Sequence, residues 1–335
     1  MIGGIKLKNY FLSNKGGFLK ALGIFFIIIL VLLGLALGAG YAFLSDKLSS
    51  MNYVETDKSD FEINEGVDKA LKDYRTIALF GLDSRDSSFE NSRSDCIILV
   101  SINKRTNDVK LTSVYRDTYV YIEGHGLDKI THAYAYGGPE LAVNTLNKNL
   151  DLNITEFVTV NFDTVETIVD SIGGITLSIT DAEASQIGFS SGGTYTLDGK
   201  EALSYARIRK IDSDYKRTER MRTVLEAVLN KVKTQDISEI SNFVDIILPH
   251  ISTNMSANSI ITMVPSAIFY NISDSTGWPY DVSGYSSDAW YGVPVTLESN
   301  VKKLHKEVFG DDDYTPSETV QEISDDIINE TGYSG

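Results

Sequence analysis

From Ala21 to Leu44 the chain carries no charged residue, only Ile, Leu, Phe, Gly, Ala and their like, and this run constrains everything around it. A helix of that length crosses about 30 Å of hydrocarbon. Lys6, Lys8, Lys15 and Lys20 precede the run without any acidic residue, and Asp46, Glu55 and Asp57 follow it. The positive-inside rule then places residues 1–20 in the cytoplasm, a transmembrane helix at 21–44, and everything from Ser45 onward outside. A cleaved signal peptide has a shorter apolar stretch and a defined small-residue cleavage site; the small residues between Ala36 and Ala42 keep that alternative open.

Removing the four N-terminal lysines from the chain's 30 basic residues leaves 26 against 46 acidic ones outside. An exported part this acidic lacks the basic footprint that general nucleic-acid binding needs, and its charge serves solubility. Cys96 is the sole cysteine, so no intramolecular disulfide forms and the fold depends on its core. Set inside the apolar run IILV, Cys96 reads as a buried small hydrophobe.

Residues 45–72 are polar and acidic and read as a stalk or short helix leading off the membrane. TIALFGLD, CIILVSIN and VKLTSVY have the pattern of buried strands, the last two flanking the turn-rich KRTNDV as an antiparallel hairpin. PELAVNTLNKNL has helical spacing, EFVTVNF returns to strand, and DTVETIVDSIGG reads as a capped helix closed by glycine before the strand ITLSIT. DGKEALSYARIR and TERMRTVLEAVLNKV supply two further helical segments. This alternation predicts one α/β domain at 73–312, a three-layer α/β/α arrangement whose hairpin makes the central sheet mixed. GWPYDVSGYSSDAWYGVPV is rich in aromatics and turns, LESNVKKLHKEVFG reads as a last helix, and residues 313–335 as a disordered acidic tail.

A hairpin turn centred near Thr106 puts Asp95 opposite Asp117, within two residues either way. Carboxylates facing each other across a ladder repel. With Asp83 ending the preceding strand, a hard divalent cation shared with substrate phosphates would relieve the crowding. Ordinary ion pairing with Arg93 and Arg116 is the alternative.

The second concentration of charge lies in ALSYARIRKIDSDYKRTERMRTVLEAVLNKV. Arg207 and Arg209, two apart, share a face in extended chain. The following helix has Met221, Val224, Leu225, Val228, Leu229 and Val232 as its apolar stripe. Arg217 falls on that stripe, with Arg220 and Arg222 on its flanks. Arginine opposes the dipole at a helix start and needs a partner when it points inward. A phosphate answers both demands. Pairing with Asp212, Asp214 and Glu219 would answer part of them.

GLDSR, RSDCIILVSIN, SVYRDTYV, LDKITHAYAYGGPELAVNTL and ALSYARIR through DYKRTERMR, in this order over about 75–235, resemble the LytR-CpsA-Psr family. The resemblance implies a cell-envelope phosphotransferase. Such enzymes move teichoic acids, capsular polysaccharides or related glycopolymers from a polyprenyl-pyrophosphate carrier onto peptidoglycan, with Mg2+. By the same resemblance Asp83 and Asp95 are metal ligands; Arg93, Arg116, Arg207, Arg209 and Arg217 contact pyrophosphate; and Lys129 lies near the phosphates. Arg220 joins this phosphate-binding set from its place in the arginine cluster. Asp117 orients Arg116 or extends the metal shell, and is the candidate acceptor of the attacking hydroxyl's proton. Three positions depart from the family pattern: Tyr115 replaces proline, Cys96 replaces threonine and Met221 replaces glutamine. The competing functions are a lipid-pyrophosphate phosphatase and a non-catalytic anchor for wall polymer. A transcriptional regulator conflicts with the acidic exported domain, and the four histidines show no zinc-binding spacing.

Overall fold

The computed structural model describes residues 46–82, 89, 92–161, 164–208, 220, 223–224, 227–228, 231, 245–246, 248–267, 270–287 and 289–334. The expected membrane span at 21–44 lies outside these residues; among them, no helix is long and apolar enough to cross a membrane.

In chain order the elements begin with β1 (Asn52–Tyr53), α1 (Val67–Ala70), β2 (Tyr74–Leu82), β3 (Ser94–Asn103) and β4 (Asp108–Val114). Then come β5 (Tyr119–Ile122), β6 (Gly126–Lys129), α2 (Ile130–Leu150), β7 (Glu156–Asn161), α3 (Thr164–Ser171) and β8 (Ile175–Ile179). The middle of the chain adds α4 (Asp181–Ile187), β9 (Gly193–Leu197), α5 (Gly199–Ala206), β10 (Ile251–Thr253) and α6 (Ala257–Ala267). The last elements are β11 (Asn271–Trp278), β12 (Val282–Ser286), β13 (Trp290–Pro294), α7 (Leu297–Leu304) and α8 (Glu318–Thr331).

Where the sequence predicts one compact domain, the chain divides into two units. One comprises Met1–Tyr53, Val160–Ser252 and Ser256–Phe269; the other comprises Val54–Thr159, Thr253–Met255 and Tyr270–Gly335. Each is built from separated stretches of chain, which a linear reading of periodicity does not reveal.

The second unit holds the predicted hairpin and a mixed sheet. β2 pairs antiparallel with β3 and β3 with β4, while β11 returns from far down the chain to lie parallel to β4. The runs of Ile, Leu and Val in β2 and β3 are buried on both faces, as a central strand requires. At the hairpin turn the Asn103 side chain accepts the N–H groups of Arg105 and Thr106 at 3.0 and 3.1 Å, and Asn107 takes a left-handed φ of 60°. The resulting register pairs Ile97 with Val114. Extended two positions further, it sets Asp95 against Arg116, one residue from the expected Asp117.

α2 covers one face of this sheet with Ile130, Ala133, Tyr134, Ala142, Val143, Leu146 and Leu150. It is kinked where Gly138 adopts φ 66° and ψ −160°, outside the range of ordinary L-residues, before Pro139 restarts the helix. The same core takes in Phe61, Val67 and Leu71, so part of the segment read as a stalk belongs to the folded unit. It also takes in Val320, Ile323 and Ile327 of α8, which corrects the expectation of a disordered tail. The apolar residues at helical spacing outweigh the acidic composition around them. Ser317 caps α8 and donates its N–H and hydroxyl to the buried Asp151 at 2.7 and 2.6 Å. Asn64 donates to the same carboxylate at 2.7 Å.

In the first unit β8 and β9 form a hairpin and α3 packs on α5. Capping boxes at Thr180 with Glu183 and at Asp198 with Glu201 start α4 and α5.

Candidate functional site

The segment Tyr115–Thr118, which follows β4, is held on every side by backbone hydrogen bonds. The Tyr115 N–H donates to the Trp278 carbonyl at 2.9 Å, and Thr118 closes a turn onto the Tyr115 carbonyl through its N–H at 3.0 Å and its hydroxyl at 2.6 Å. The Arg116 carbonyl accepts from Thr131 at 3.1 Å, the Asp117 carbonyl from Gly292 at 2.9 Å, and the Thr118 carbonyl from Ile130 at 2.9 Å. Three distant segments therefore fix the direction of two charged side chains.

Those side chains form an alternating chain of charge. Arg116 Nη1 lies 3.1 Å from Asp95 Oδ2, and Arg116 Nε lies 3.4 Å from Asp117 Oδ2. Lys129, at the end of β6, places Nζ 2.9 Å from Asp117 Oδ1 and 5.4 Å from the centre of the Tyr291 ring. Arg116 keeps 35% of its side-chain exposure while Asp95 keeps 17%, so the guanidinium is the more open member of that pair. Arg93, two residues before Asp95, is exposed, and its carbonyl accepts the Asp95 N–H at 3.1 Å. Asp95, Arg116, Asp117 and Lys129 thus converge at the end of the hairpin, with the Arg93 backbone two residues before Asp95. Asp117 stands between Arg116 and Lys129 as an orienting carboxylate.

The other expected residues divide differently. Asp83, Arg209 and Arg217 lie outside the described residues. Arg207 is half-buried and closes α5 in the first unit. Arg220 departs from expectation. It is 4% exposed, donating Nε to Glu183 Oε1 and Nη1 to the Ile208 carbonyl, both at 2.9 Å. Its guanidinium ties elements of the first unit together and is not presented to a ligand. Arg220 and Glu183 are 37 residues apart in sequence and meet only in the fold.

Tyr115, standing where the family pattern has proline, supplies a backbone donor that proline lacks. Its ring passes over β11 at Gly277, where an added Cβ would lie 2.0 Å from the phenol oxygen. Cys96 is fully buried and burial pushes its thiol well above the ordinary range, so it is no nucleophile.

Beside the site, Asp128 Oδ2 accepts from His132 Nδ1 at 2.9 Å and from the Tyr136 hydroxyl at 2.8 Å, while Oδ1 accepts the Lys129 N–H at 2.7 Å. Burial alone would raise this carboxyl, but the hydrogen bonds from His132, the Lys129 N–H and Tyr136 outweigh it and hold it below its ordinary value. The sequence contains this cluster as DKITHAYAY, an i, i+4 pair whose partnership sequence reasoning left unread.

A family model described as the LytR_cpsA_psr family matches residues 41–276. The chain belongs to the LytR-CpsA-Psr family. Among its LytR-CpsA-Psr relatives is the polyisoprenyl-teichoic acid–peptidoglycan teichoic acid transferase TagT of Bacillus subtilis (strain 168). It is 36% identical over 228 residues, 64% of this chain and 71% of the relative. A transferase of the corresponding name, TagU, from Enterococcus faecalis is 35% identical over 249 residues, 71% of this chain and 79% of the relative. A solved Streptococcus agalactiae protein is 26% identical with a TM-score of 0.56, covering 76% of this chain and 94% of that one. The mixed α/β architecture around a central mixed sheet is thus that of a LytR-CpsA-Psr protein.

Proposed function

We propose that this protein is a membrane-anchored transferase that moves a glycopolymer from a polyprenyl-pyrophosphate carrier to peptidoglycan. The observation that carries this reading is the Asp95–Arg116–Asp117–Lys129 chain at the hairpin end. It supports the reading together with the names of the relatives, which act on polyisoprenyl-linked teichoic acid and peptidoglycan. The apolar run 21–44 holds the enzyme in the membrane as a single span with a cytoplasmic N-terminus, the catalytic domain facing the wall.

In the reaction a sugar hydroxyl of the wall attacks the phosphorus that bears the polymer. A new P–O bond forms, the bond to the bridging oxygen of the pyrophosphate breaks, and polyprenyl phosphate leaves with the electron pair. The hydroxyl proton passes to Asp117. Negative charge grows on the non-bridging and leaving oxygens, where preoriented cations are most effective. Arg116 offers a planar fork for this task and Lys129 a point charge, with Arg93 exposed beside them. Arg207, Arg209 and Arg217 are proposed as phosphate contacts on the family resemblance alone. Asp95, a hard oxygen donor beside a guanidinium, fits a magnesium ion shared with substrate phosphates, and Asp83 is its proposed co-ligand. When bound, the ion would neutralise charge on the pyrophosphate.

The test is transfer by the full-length protein in proteoliposomes, given a polyprenyl-pyrophosphate oligosaccharide, peptidoglycan oligomers and magnesium. Covalent attachment that disappears in Arg116→Ala supports the assignment. Release of oligosaccharide 1-phosphate and polyprenyl phosphate without attachment would make the protein a hydrolase and overturn it.

A further inference from the structure

The hairpin β12–β13 has two unlike faces. Tyr285 and Tyr291 turn toward Tyr119, with ring centres 6.1 and 4.9 Å from it, and Val293 on the same face is fully buried. The alternation of a strand puts Val282, Gly284, Ser286, Trp290, Gly292 and Pro294 on the opposite face, and none of these is charged. Gly284 and Gly292 are direct cross-strand partners. The indole of Trp290 lies across both of them. A Cβ added at Gly284 would be 2.8 Å from Nε1, and one added at Gly292 would be 3.5 Å from Cη2. A side chain at Gly284 would push the ring off the strands, and at Gly292 the ring edge rests at ordinary contact distance; 44% of Trp290 stays exposed. The platform adjoins the catalytic turn. The Gly292 N–H donates to the Asp117 carbonyl at 2.9 Å, and that oxygen lies 3.6 Å from the point where a Gly292 Cβ would sit.

A broad indole face, backed by two glycines and open to solvent, suits the C–H face of a pyranose ring. We propose that Trp290 is the platform on which a neutral N-acetylhexosamine of the acceptor wall glycan stacks, bringing its hydroxyl to Asp117; this rests on the transferase reading above. The uncharged face distinguishes acceptor from donor. A phosphate-rich polymer finds its cations at Arg116 and Lys129, and this face of the hairpin offers it none.

The chain has two tryptophans, and Trp278 is fully buried, so quenching of tryptophan fluorescence by acrylamide reports on Trp290. In full-length protein reconstituted into phospholipid vesicles, an N-acetylglucosamine tetramer lowers the quenching constant. In the transfer assay Trp290→Leu raises the KM for peptidoglycan oligomers by about three- to tenfold with kcat and donor KM unchanged, and Trp290→Phe falls between. Unaltered quenching in the presence of the tetramer, or an unchanged acceptor KM, overturns the proposal. A rise in donor KM alone also overturns it, reassigning the platform to the donor. Protection by the tetramer in a protein that performs no transfer would sink the transferase reading while leaving the sugar platform standing.

Discussion

Arg116 Nη1 and Asp95 Oδ2 meet at 3.1 Å two positions beyond Ile97 and Val114, where the regular β3–β4 ladder ends. There the strands no longer exchange backbone hydrogen bonds, and the cross-strand relation is carried by an ion pair. The same guanidinium touches Asp117, so it screens two carboxylates from each other while its own face stays partly open.

Replacing Arg116 by alanine is expected to lower the transfer rate by about 100-fold or more, the scale for removing one preoriented donor to a developing oxyanion. Arg116→Lys keeps the charge without the fork and recovers only part of the rate. Initial rates at saturating donor measure this. A rate for Arg116→Ala within twofold of the parent would remove this residue from the chemistry.

Gly277→Ala introduces a Cβ that would lie 2.0 Å from the Tyr115 hydroxyl oxygen and 2.6 Å from Cζ. The ring must move, and a loss of about 1–3 kcal/mol is expected, the usual range for overpacking. The double variant with Tyr115→Leu should lose less than the two single losses combined, because the two residues compete for one space. Urea unfolding of all four proteins measures the coupling; strict additivity would contradict the contact.

Ile327→Ala is expected to cost about 2–5 kcal/mol, as for other fully buried isoleucines cut to alanine. The exposed Asp325→Ala, on the outer side of the same helix, should lie within about 0.5 kcal/mol of the parent. Chemical denaturation separates them, and equal effects would mean that α8 does not pack as described.

His305 gives a pH dependence with a definite sign. Burial holds its imidazole below the ordinary 6.5, against the Leu150 carbonyl, which accepts from Nε2 at 3.2 Å, and against Asp151 and Asp311, which favour the charged form. The unfolded chain therefore takes up the proton first as pH falls. The His305 contribution is complete above about 6.5 and is lost progressively below it, through the lower folded-state value. His305→Phe keeps a ring to stack on Tyr314 but cannot titrate, so its stability should fall less between pH 7.5 and 5.5. Denaturation midpoints at the two pH values decide the matter; identical slopes for parent and variant would refute it.

Much of the site could be read from the chain because its parts lie near one another in sequence. CIILVSIN and VKLTSVY announce the hairpin, and its end brings Asp95, Arg116 and Asp117 together. The exact facing partner of Asp95 depended on Asn103 and Asn107 tightening the turn, a shift of one residue that composition cannot settle. Lys129 was placed by family resemblance, whereas its bond to Asp117 arises from the β5–β6 hairpin folding back beneath Tyr115–Thr118. The pairing of Arg220 with Glu183 was hidden by distance along the chain. The helix at 318–331 was legible in its spacing of Val320, Ile323 and Ile327 but was masked by the acids between them. The hairpin carrying Trp290 was visible only as aromatics and turns, since Gly284 and Gly292 acquire meaning once they face each other.

The position of α8 has a consequence for the life of the molecule before it works. The core around α2 remains open until Val320, Ile323 and Ile327 arrive, so a growing chain cannot seal it during synthesis of the preceding segments. A version stopped at residue 312 is therefore an unfinished protein with an uncovered apolar face, a substrate for quality-control proteases, and not merely a shorter enzyme.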